Sequence, residues 1–337
     1  MTVAAAARRW VARYDATVRR ILIAISGGAD SVALAVALAE TLRDRGTPPE
    51  ARLVLAHFNH NIRSPDEHVA DLEFVRDVGR RIMVPCVFGE AQRGSIADRA
   101  REHGGLESAA RAVRYEFLAQ AAVLTGAGSV CVAHTAEDQA ETVLMRLLEG
   151  KTGTLLGGIP ERRLLRTQVV IDRPLLDVSR ADVEAYLTAL GWRWMDDATN
   201  EQPEYRRNVI RHMVLPEIES HWPAVRGDLM RLARAWRERR AAIEARADLV
   251  PVDFDGSEAR VERHVFFSLD RETRLELLYR VLARLGLLDR RDRPSHRFFE
   301  PVLGIDRGGR RTLVAARGIR IVARGNLVRV GRDCPPR

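Results

Sequence analysis

The run Ser26-Gly27-Gly28-Ala29-Asp30-Ser31 could do phosphate chemistry. It follows the apolar run Ile21-Leu22-Ile23-Ala24-Ile25 and precedes Val32-Ala33-Leu34-Ala35-Val36-Ala37-Leu38. That order reads as a buried strand, a glycine turn and a helix. Glycines let the main chain approach an anion, and the N–H groups of a first helical turn point at it. Ser26 and Ser31 add hydroxyl donors. Asp30 would repel a phosphate, unless a magnesium ion lies between them. No lysine follows the second glycine at the longer spacing of a Walker loop, so the motif is a different one. Turns of this composition also join strands to helices without binding anything.

Further candidates stand at comparable places. His57 and His134 directly follow apolar runs, Arg52–Ala56 and Ser129–Ala133. Asp138 and Glu141 are three residues apart, as are Arg111 and Arg114, so each pair shares one face of a helix. Asp30 or Asp138 could equally cap a helix, and Glu141 could be a solvated acid on a helix surface. The arginine pair could be a solvated face, His134 a structural histidine, and Tyr115 a core residue.

The elements that must position these residues alternate. Strands are expected at Ile21–Ile25, Arg52–Ala56, Met83–Phe88 and Ser129–Ala133, with a further short one at Val169–Ile171. Helices are expected over 66–81, 107–124, 137–148 and 182–190, the last stopped by Gly191, with a polar loop after Phe88. This is the pattern of an α/β fold, a Rossmann-like parallel sheet covered by helices on both faces. Ligands of such sheets bind beyond the carboxyl ends of the strands, so Ser26, His57 and His134 should line one crevice. After Pro216 the character changes. Val225, Leu229, Leu232, Trp236 and Ile243 mark one helical face, and Arg226, Arg231, Arg234, Arg237 and Arg240 fill much of the rest. More helix is expected over 271–287, then small antiparallel strands over 312–330, broken at Arg317-Gly318 and Gly325-Asn326. Two domains result, 1–217 and 218–337, the second smaller, mostly helical and ending in short strands.

Composition sets outer bounds. The 337 residues are 46% hydrophobic, enough for a sizeable core, and no stretch has the length of apolar sequence that spans a bilayer. Residues 1–20 are rich in alanine and arginine and read as an amphipathic helix, with an organelle transit peptide as the lesser alternative. Cys86, Cys131 and Cys334 lie far apart, with no Cys-x-x-Cys pair, so neither a zinc site nor a disulfide framework is indicated. Cys86 and Cys131 are expected in the core, and the cytoplasm is the expected compartment. The formal net charge of +8 suggests a polyanionic partner. Lys151 is the one lysine among arginines, a bias that a GC-rich genome also produces.

Four more segments accompany the glycine loop. They are Ala56-His57-Phe58-Asn59-His60-Asn61-Ile62-Arg63, Glu107-Ser108-Ala109-Ala110-Arg111-Ala112-Val113-Arg114-Tyr115 and Ala133-His134-Thr135-Ala136-Glu137-Asp138-Gln139-Ala140-Glu141-Thr142. The fourth runs from Arg173-Pro174-Leu175-Leu176 through Ser179-Arg180, Asp196-Asp197 and Asn200 to Tyr205-Arg206-Arg207-Asn208-Val209-Ile210-Arg211. Together, over residues 20–217, they closely resemble the tRNA(Ile)-lysidine synthetases, a family of PP-loop ATP pyrophosphatases. Phe58, Asn61-Ile62 and the Gly150-Lys151-Thr152-Gly153 loop depart from the family pattern and leave its charged positions in place. The resemblance also implies that the second C-terminal domain of longer members is missing.

What the resemblance implies is specific. ATP would adenylate the carbonyl oxygen on carbon 2 of the wobble cytidine of an isoleucine tRNA with a CAU anticodon. The amine of free L-lysine would then displace AMP. Residues 26–31 (Ser26, Gly27, Gly28, Ala29, Asp30, Ser31) would bind the nucleotide, with His57, His60, Arg63 and His134 around it. Asp30 and Asp138 would hold Mg2+ and, with Arg114, form the catalytic set. Glu141 would receive the lysine ammonium, and Arg111 with Arg114 would grip a phosphate or base edge. Arg206, Arg207 and Arg211 would contact tRNA or an interdomain joint. The sequence leaves the oligomeric state open, a homodimer included. Rivals are another PP-loop tRNA-modifying enzyme and a non-catalytic, nucleotide-regulated RNA-binding protein. Thiolating members would bring cysteine pairs, which this chain lacks. Amidating synthetases would lack the segments around His57–Arg63 and Tyr205–Arg211.

Overall fold

The computed structural model describes residues 1–14, 20–61, 65–103, 105–166, 168–195, 206–288, 296–303, 311–316 and 318–333. Two compact units divide the chain, Met1–Ala235 and Trp236–Arg337.

The first unit is built on six strands: β1 (Ile21–Ala24), β2 (Leu53–Asn59), β3 (Cys86–Glu90), β4 (Ser129–Cys131), β5 (Arg162–Arg166) and β6 (Val169–Asp172). Their order across the sheet is β3-β2-β1-β4-β6-β5. All neighbours are parallel except β5, which runs antiparallel to β6 at one edge. The helices are α1 (Val3–Tyr14), α2 (Ala29–Asp44), α3 (Pro49–Arg52), α4 (Pro65–Ile82), α5 (Ser95–His103), α6 (Leu106–Thr125), α7 (Ala136–Leu148), α8 (Arg180–Ala189), α9 (Arg206–Val209) and α10 (Leu215–His221).

Side-chain alternation along the central strands explains the layering. Ile21, Ile23, Leu53 and Leu55 face α2, α1 and α8 in one fully buried cluster. Leu22, Val54, Val130 and Ile171 face the opposite way, against Tyr115, Leu118 and Ala122 of α6. The small residues of α2 allow close packing on both its sides, and every residue from Val32 to Ala39 is buried. With each buried Val, Leu or Ile contributing roughly 1.5–3 kcal/mol, these two clusters fix β1 in the middle of the sheet.

The remaining expected elements shift slightly or were missed. The third strand starts at Cys86 because Met83 adopts a positive φ of 58° that ends α4. Cys131 is buried, but Cys86 is only partly so. The polar loop expected after Phe88 contains α5, an amphipathic helix under Phe58 and α6. Strand β5 was not anticipated, since its Arg162-Arg163-Leu164-Leu165-Arg166 carries no strand alternation.

Helix α11 (Val225–Asp248) continues the chain. In its first part Leu229 and Ala233 join Ala140, Val143 and Leu144 of α7 in a small core with Ile210 and Leu215. The second unit holds β7 (Asp253–Asp255), β8 (Glu258–Glu262), α12 (Arg263–Ser268), α13 (Arg271–Arg284), α14 (His296–Leu303), β9 (Arg311–Ala316), β10 (Ile319–Arg324) and β11 (Leu327–Arg332). Its sheet is antiparallel throughout, ordered β7-β8-β11-β10-β9. Gly325 at φ 59° makes the β10–β11 turn where Gly325-Asn326 signalled one. Phe266, Leu278, Leu282, Phe299 and Ile321 centre a separate core.

Candidate active site

The glycine loop sits at the carboxyl end of β1 and opens α2. Gly27 takes a φ of 97°, which strongly favours glycine, and Gly28 is the residue before the first helical turn. Ser31 ties the loop together. Its Oγ donates to the Gly28 carbonyl at 2.9 Å and accepts from the Ser26 main-chain N–H at 3.2 Å. The Ser26 and Ser31 hydroxyls lie 3.3 Å apart. Ala29 and Asp30 lie in the first turn of α2, so the loop presents main-chain donors beside a carboxylate.

Asp30 fits a cation. Its Oδ1 is buried and accepts no hydrogen bond, while Oδ2 meets Arg180 Nη2 at 3.3 Å. Burial pushes the Asp30 carboxyl up to about 6, Arg180 opposes the shift, and the nearby Asp138 and Glu137 charges add to it. An orphaned oxygen between like charges suits a hard divalent ion. An unpartnered carboxylate oxygen is the kind of hard donor that magnesium takes. Among the described residues no cluster of three or more His, Cys, Asp or Glu forms a metal cage.

Helix α7 brings the next acids. Asp138 accepts from the main-chain N–H of Thr135 at 2.9 Å through Oδ2, the capping role open to it from sequence. Its Oδ1 is taken by Arg207 Nη2 at 2.6 Å and Arg211 Nη2 at 3.3 Å. One turn on, Glu141 is 1% exposed. It meets Arg207 Nε at 2.8 Å and Arg211 Nε at 2.6 Å, with a second bond from Arg211 at 3.1 Å. The acids assigned to metal and lysine, and the arginines assigned to tRNA or a joint, are thus each other's partners here. Burial works against the Arg211 charge, but Glu141 and Asp138 outweigh it and hold the guanidinium above its ordinary value. Arg206 is exposed.

A local irregularity delivers these arginines. Between α9 and α10, Ile210–Val214 forms a π-helical turn. Pro216 has no N–H to donate, and the preceding Leu215 N–H reaches back to Ile210 instead.

The histidines differ. His57 lies inside β2, 4% exposed, and donates from Nδ1 to the Ile25 carbonyl at 3.0 Å, just before the loop. Burial lowers its basicity, so it supports the loop as a neutral ring. His134 accepts from Arg173 Nε through Nδ1 at 3.0 Å. Burial, then Arg173 and further arginines, keep it neutral, well below the usual range. His60 packs edge-on against Phe58, ring centroids 5.1 Å apart. Arg63, Asp196, Asp197, Asn200 and Tyr205 lie outside the described residues.

Arg111 and Arg114 both gather at Tyr115. Arg111 Nη2 donates to its hydroxyl at 3.3 Å. Three residues given no site role from sequence also belong to the region. Arg173, 2% exposed, holds His134 and the Pro160 carbonyl. Arg180 pairs with Asp30, and its main-chain N–H donates to Glu137 at 2.9 Å. Gln139 pairs with the Ile159 main chain in both directions, at 3.0 and 2.6 Å. Arg173 and Arg180 lie within the segment that runs from Arg173 to Arg211, and their own neighbours in sequence did not single them out. The arginine face of α11 is partly neutralised, with Arg226 on Glu219 and Arg240 on Glu244, both at 2.8 Å.

Comparison with known proteins agrees with this layout. Residues 2–218 match the PP-loop domain. The chain is 40% identical over 229 residues to a tRNA(Ile)-lysidine synthase of Deinococcus radiodurans, covering 68% of this chain and 36% of that protein. It is 38% identical over 228 residues to one of Thermus thermophilus, covering 68% and 41%. The chain therefore spans well under two thirds of the length of these curated relatives. In fold it resembles the U34-tRNA thiolase NcsA of Methanococcus maripaludis, with a TM-score of 0.56 at 15% identity over 70% of this chain and 78% of that one. No helix among the described residues is long and apolar enough to cross a membrane. With the glycine loop, the parallel sheet and the match over residues 2–218 in agreement, the chain belongs to the PP-loop domain family.

Proposed function

We propose that this protein is an ATP-dependent ligase that joins L-lysine to carbon 2 of the wobble cytidine of an isoleucine tRNA with a CAU anticodon, releasing AMP and pyrophosphate. The observation that carries the reading is the glycine loop with Asp30 in its first helical turn, one carboxylate oxygen buried and unpartnered. Similarity to tRNA(Ile)-lysidine synthases supports the choice of substrates.

In this reading the loop amides and the Ser26 and Ser31 hydroxyls bind the ATP phosphates and stabilise charge building on the pyrophosphate leaving group. Asp30 and Asp138 would hold magnesium, which supplies charge neutralisation there when bound. The cytidine carbonyl oxygen attacks the α-phosphorus, and the bond to pyrophosphate breaks. The lysine amine, having lost a proton, then attacks carbon 2, and AMP leaves with the oxygen. Glu141 receives the lysine ammonium by exchanging it for the guanidinium groups of Arg207 and Arg211. Neutral His134 contacts the nucleotide or base from the end of β4. The basic surface binds the tRNA backbone, giving affinity and not base choice.

Incorporation of radiolabelled lysine into the CAU-anticodon isoleucine tRNA, with methionine tRNA as control, tests this. ATP-dependent labelling of the isoleucine transcript alone is expected. Labelling no higher than that of Asp30→Ala rejects the reading.

A further inference from the structure

On the α6 side of the sheet, four arginines surround one phenol ring and no acid. The guanidinium carbons of Arg111, Arg114 and Arg163 lie 5.0, 5.6 and 5.1 Å from the centroid of the Tyr115 ring. Arg173, buried at the end of β6, also faces the Tyr115 hydroxyl. Among the described residues no carboxylate pairs with any of the four. Such a group repels itself, and at Arg114 and Arg173 burial removes water that would screen it. Both effects are felt. Burial first, then neighbouring arginines, lower the basicity of Arg114 and Arg173. Burial pushes the Tyr115 hydroxyl up, but Arg111, Arg114, Arg173 and Arg163 outweigh it and draw the phenol below its usual range. His134 stands beside them, and burial first, then Arg173, Arg111, Arg207 and Arg114, keep it neutral.

Guanidinium groups that pull a phenol towards its anion lack a counter-ion. We propose that Arg111, Arg114, Arg163 and Arg173 form a phosphate-binding site, with the Tyr115 hydroxyl as a further donor, separate from the glycine loop. Forked guanidinium donors match phosphate oxygens two at a time. A phosphate offers enough acceptors for several arginines, where one carboxylate does not. The two sites are built from different elements. The loop opens α2, which packs on the Ile21–Ile23 face, and the arginines belong to α6, β5 and the end of β6, with Tyr115 packed on the Leu22 face. Two sources carry this chemistry, the phosphodiester of a bound RNA and free pyrophosphate. The site does not depend on lysine ligation. Loss of labelled product with anion binding intact counts against the ligase reading alone.

The test uses the full chain and three variants. Arg163→Ala removes an exposed side chain on the edge strand, and Tyr115→Phe keeps the ring while losing the hydroxyl. Arg166→Ala, exposed on the same strand, is the control. Calorimetric titration is run with sodium pyrophosphate, without nucleotide, and separately with an anticodon stem-loop RNA at several salt concentrations. Arg163→Ala is expected to weaken one of the two ligands at least about fivefold, and Arg166→Ala to change neither beyond about twofold. Weakened pyrophosphate binding identifies the free anion. Weakened RNA binding, with a salt slope reduced by about one contact, identifies the phosphodiester. Unchanged binding of both ligands in Arg163→Ala and Tyr115→Phe overturns the proposal, as does a wild type that binds neither.

Discussion

Asp30 carries an electrostatic cost that a purely structural helix start would shed. Its carboxyl is raised from 3.8 to about 6, chiefly by burial. The folded state therefore favours the protonated form. The stability this contributes is complete below pH 4 and is lost as the pH rises through about 6. Asp30→Asn should thus be more stable than wild type at pH 8, by on the order of 2 kcal/mol, with the gain gone at pH 4. Urea denaturation at both values measures it. The same variant should lose ATP-dependent activity. Glu141, Arg207 and Arg211 form the opposite case, since removing one partner strands a buried charge at a cost of about 3–5 kcal/mol. A double-mutant cycle of Glu141→Ala and Arg211→Ala should give a coupling above about 1 kcal/mol, and additive losses would contradict the pairing. The glycine loop was legible because all its parts are adjacent in sequence. The partners of Glu141 were not, because they lie 66 and 70 residues away and meet it only through tertiary packing.

The elements show where local pattern stops being informative. β1, β2 and β4 are buried on both faces, and their unbroken apolar runs announced them. β5 is an exposed edge strand, defined by pairing with β6 and not by its own residues. The π-helical turn at Ile210–Val214 likewise follows from Pro216 acting on its neighbours. A further device joins α7 to the segment before β5. Gln139 acts as a substitute strand for Ile159, and Gly158 beside it sits at φ 65°. A Cβ there would stand 2.0 Å from Gln139 Oε1. Gly158→Ala should therefore cost about 2 kcal/mol or more through strain and overpacking, read as a lowered denaturation midpoint. Since Arg173 holds the Pro160 carbonyl, the substitution should also disturb the His134 contact.

At the scale of the molecule, each unit has its own buried core, and residues 2–218 carry the PP-loop match. Ligands that bind only the folded form stabilise it by mass action. A non-hydrolysable ATP analogue with magnesium should raise the thermal transition of the first unit and leave that of the second in place. Calorimetry resolves the two, and equal shifts would argue against a nucleotide site confined to the first. The second domain was readable as helix followed by antiparallel strands, because Gly318 and Gly325 punctuate the tail. Strands β7 and β8 were not, being short, and β8 is separated from its long-range partner β11 by three helices and two strands. The net charge of +8 leaves the molecule drawn to polyanions, an attraction that salt should weaken steeply.

Lys151 stands exposed just past α7, its main-chain N–H held by the Arg146 carbonyl at 2.8 Å. It is the chain's sole side-chain amine, and guanidinium groups remain protonated at neutral pH and resist acylation. An amine-directed fluorophore would therefore attach at one side chain, besides the N-terminus. That position lies at the far end of the helix bearing Asp138 and Glu141, so the wild-type chain already carries a unique handle for following that helix during turnover.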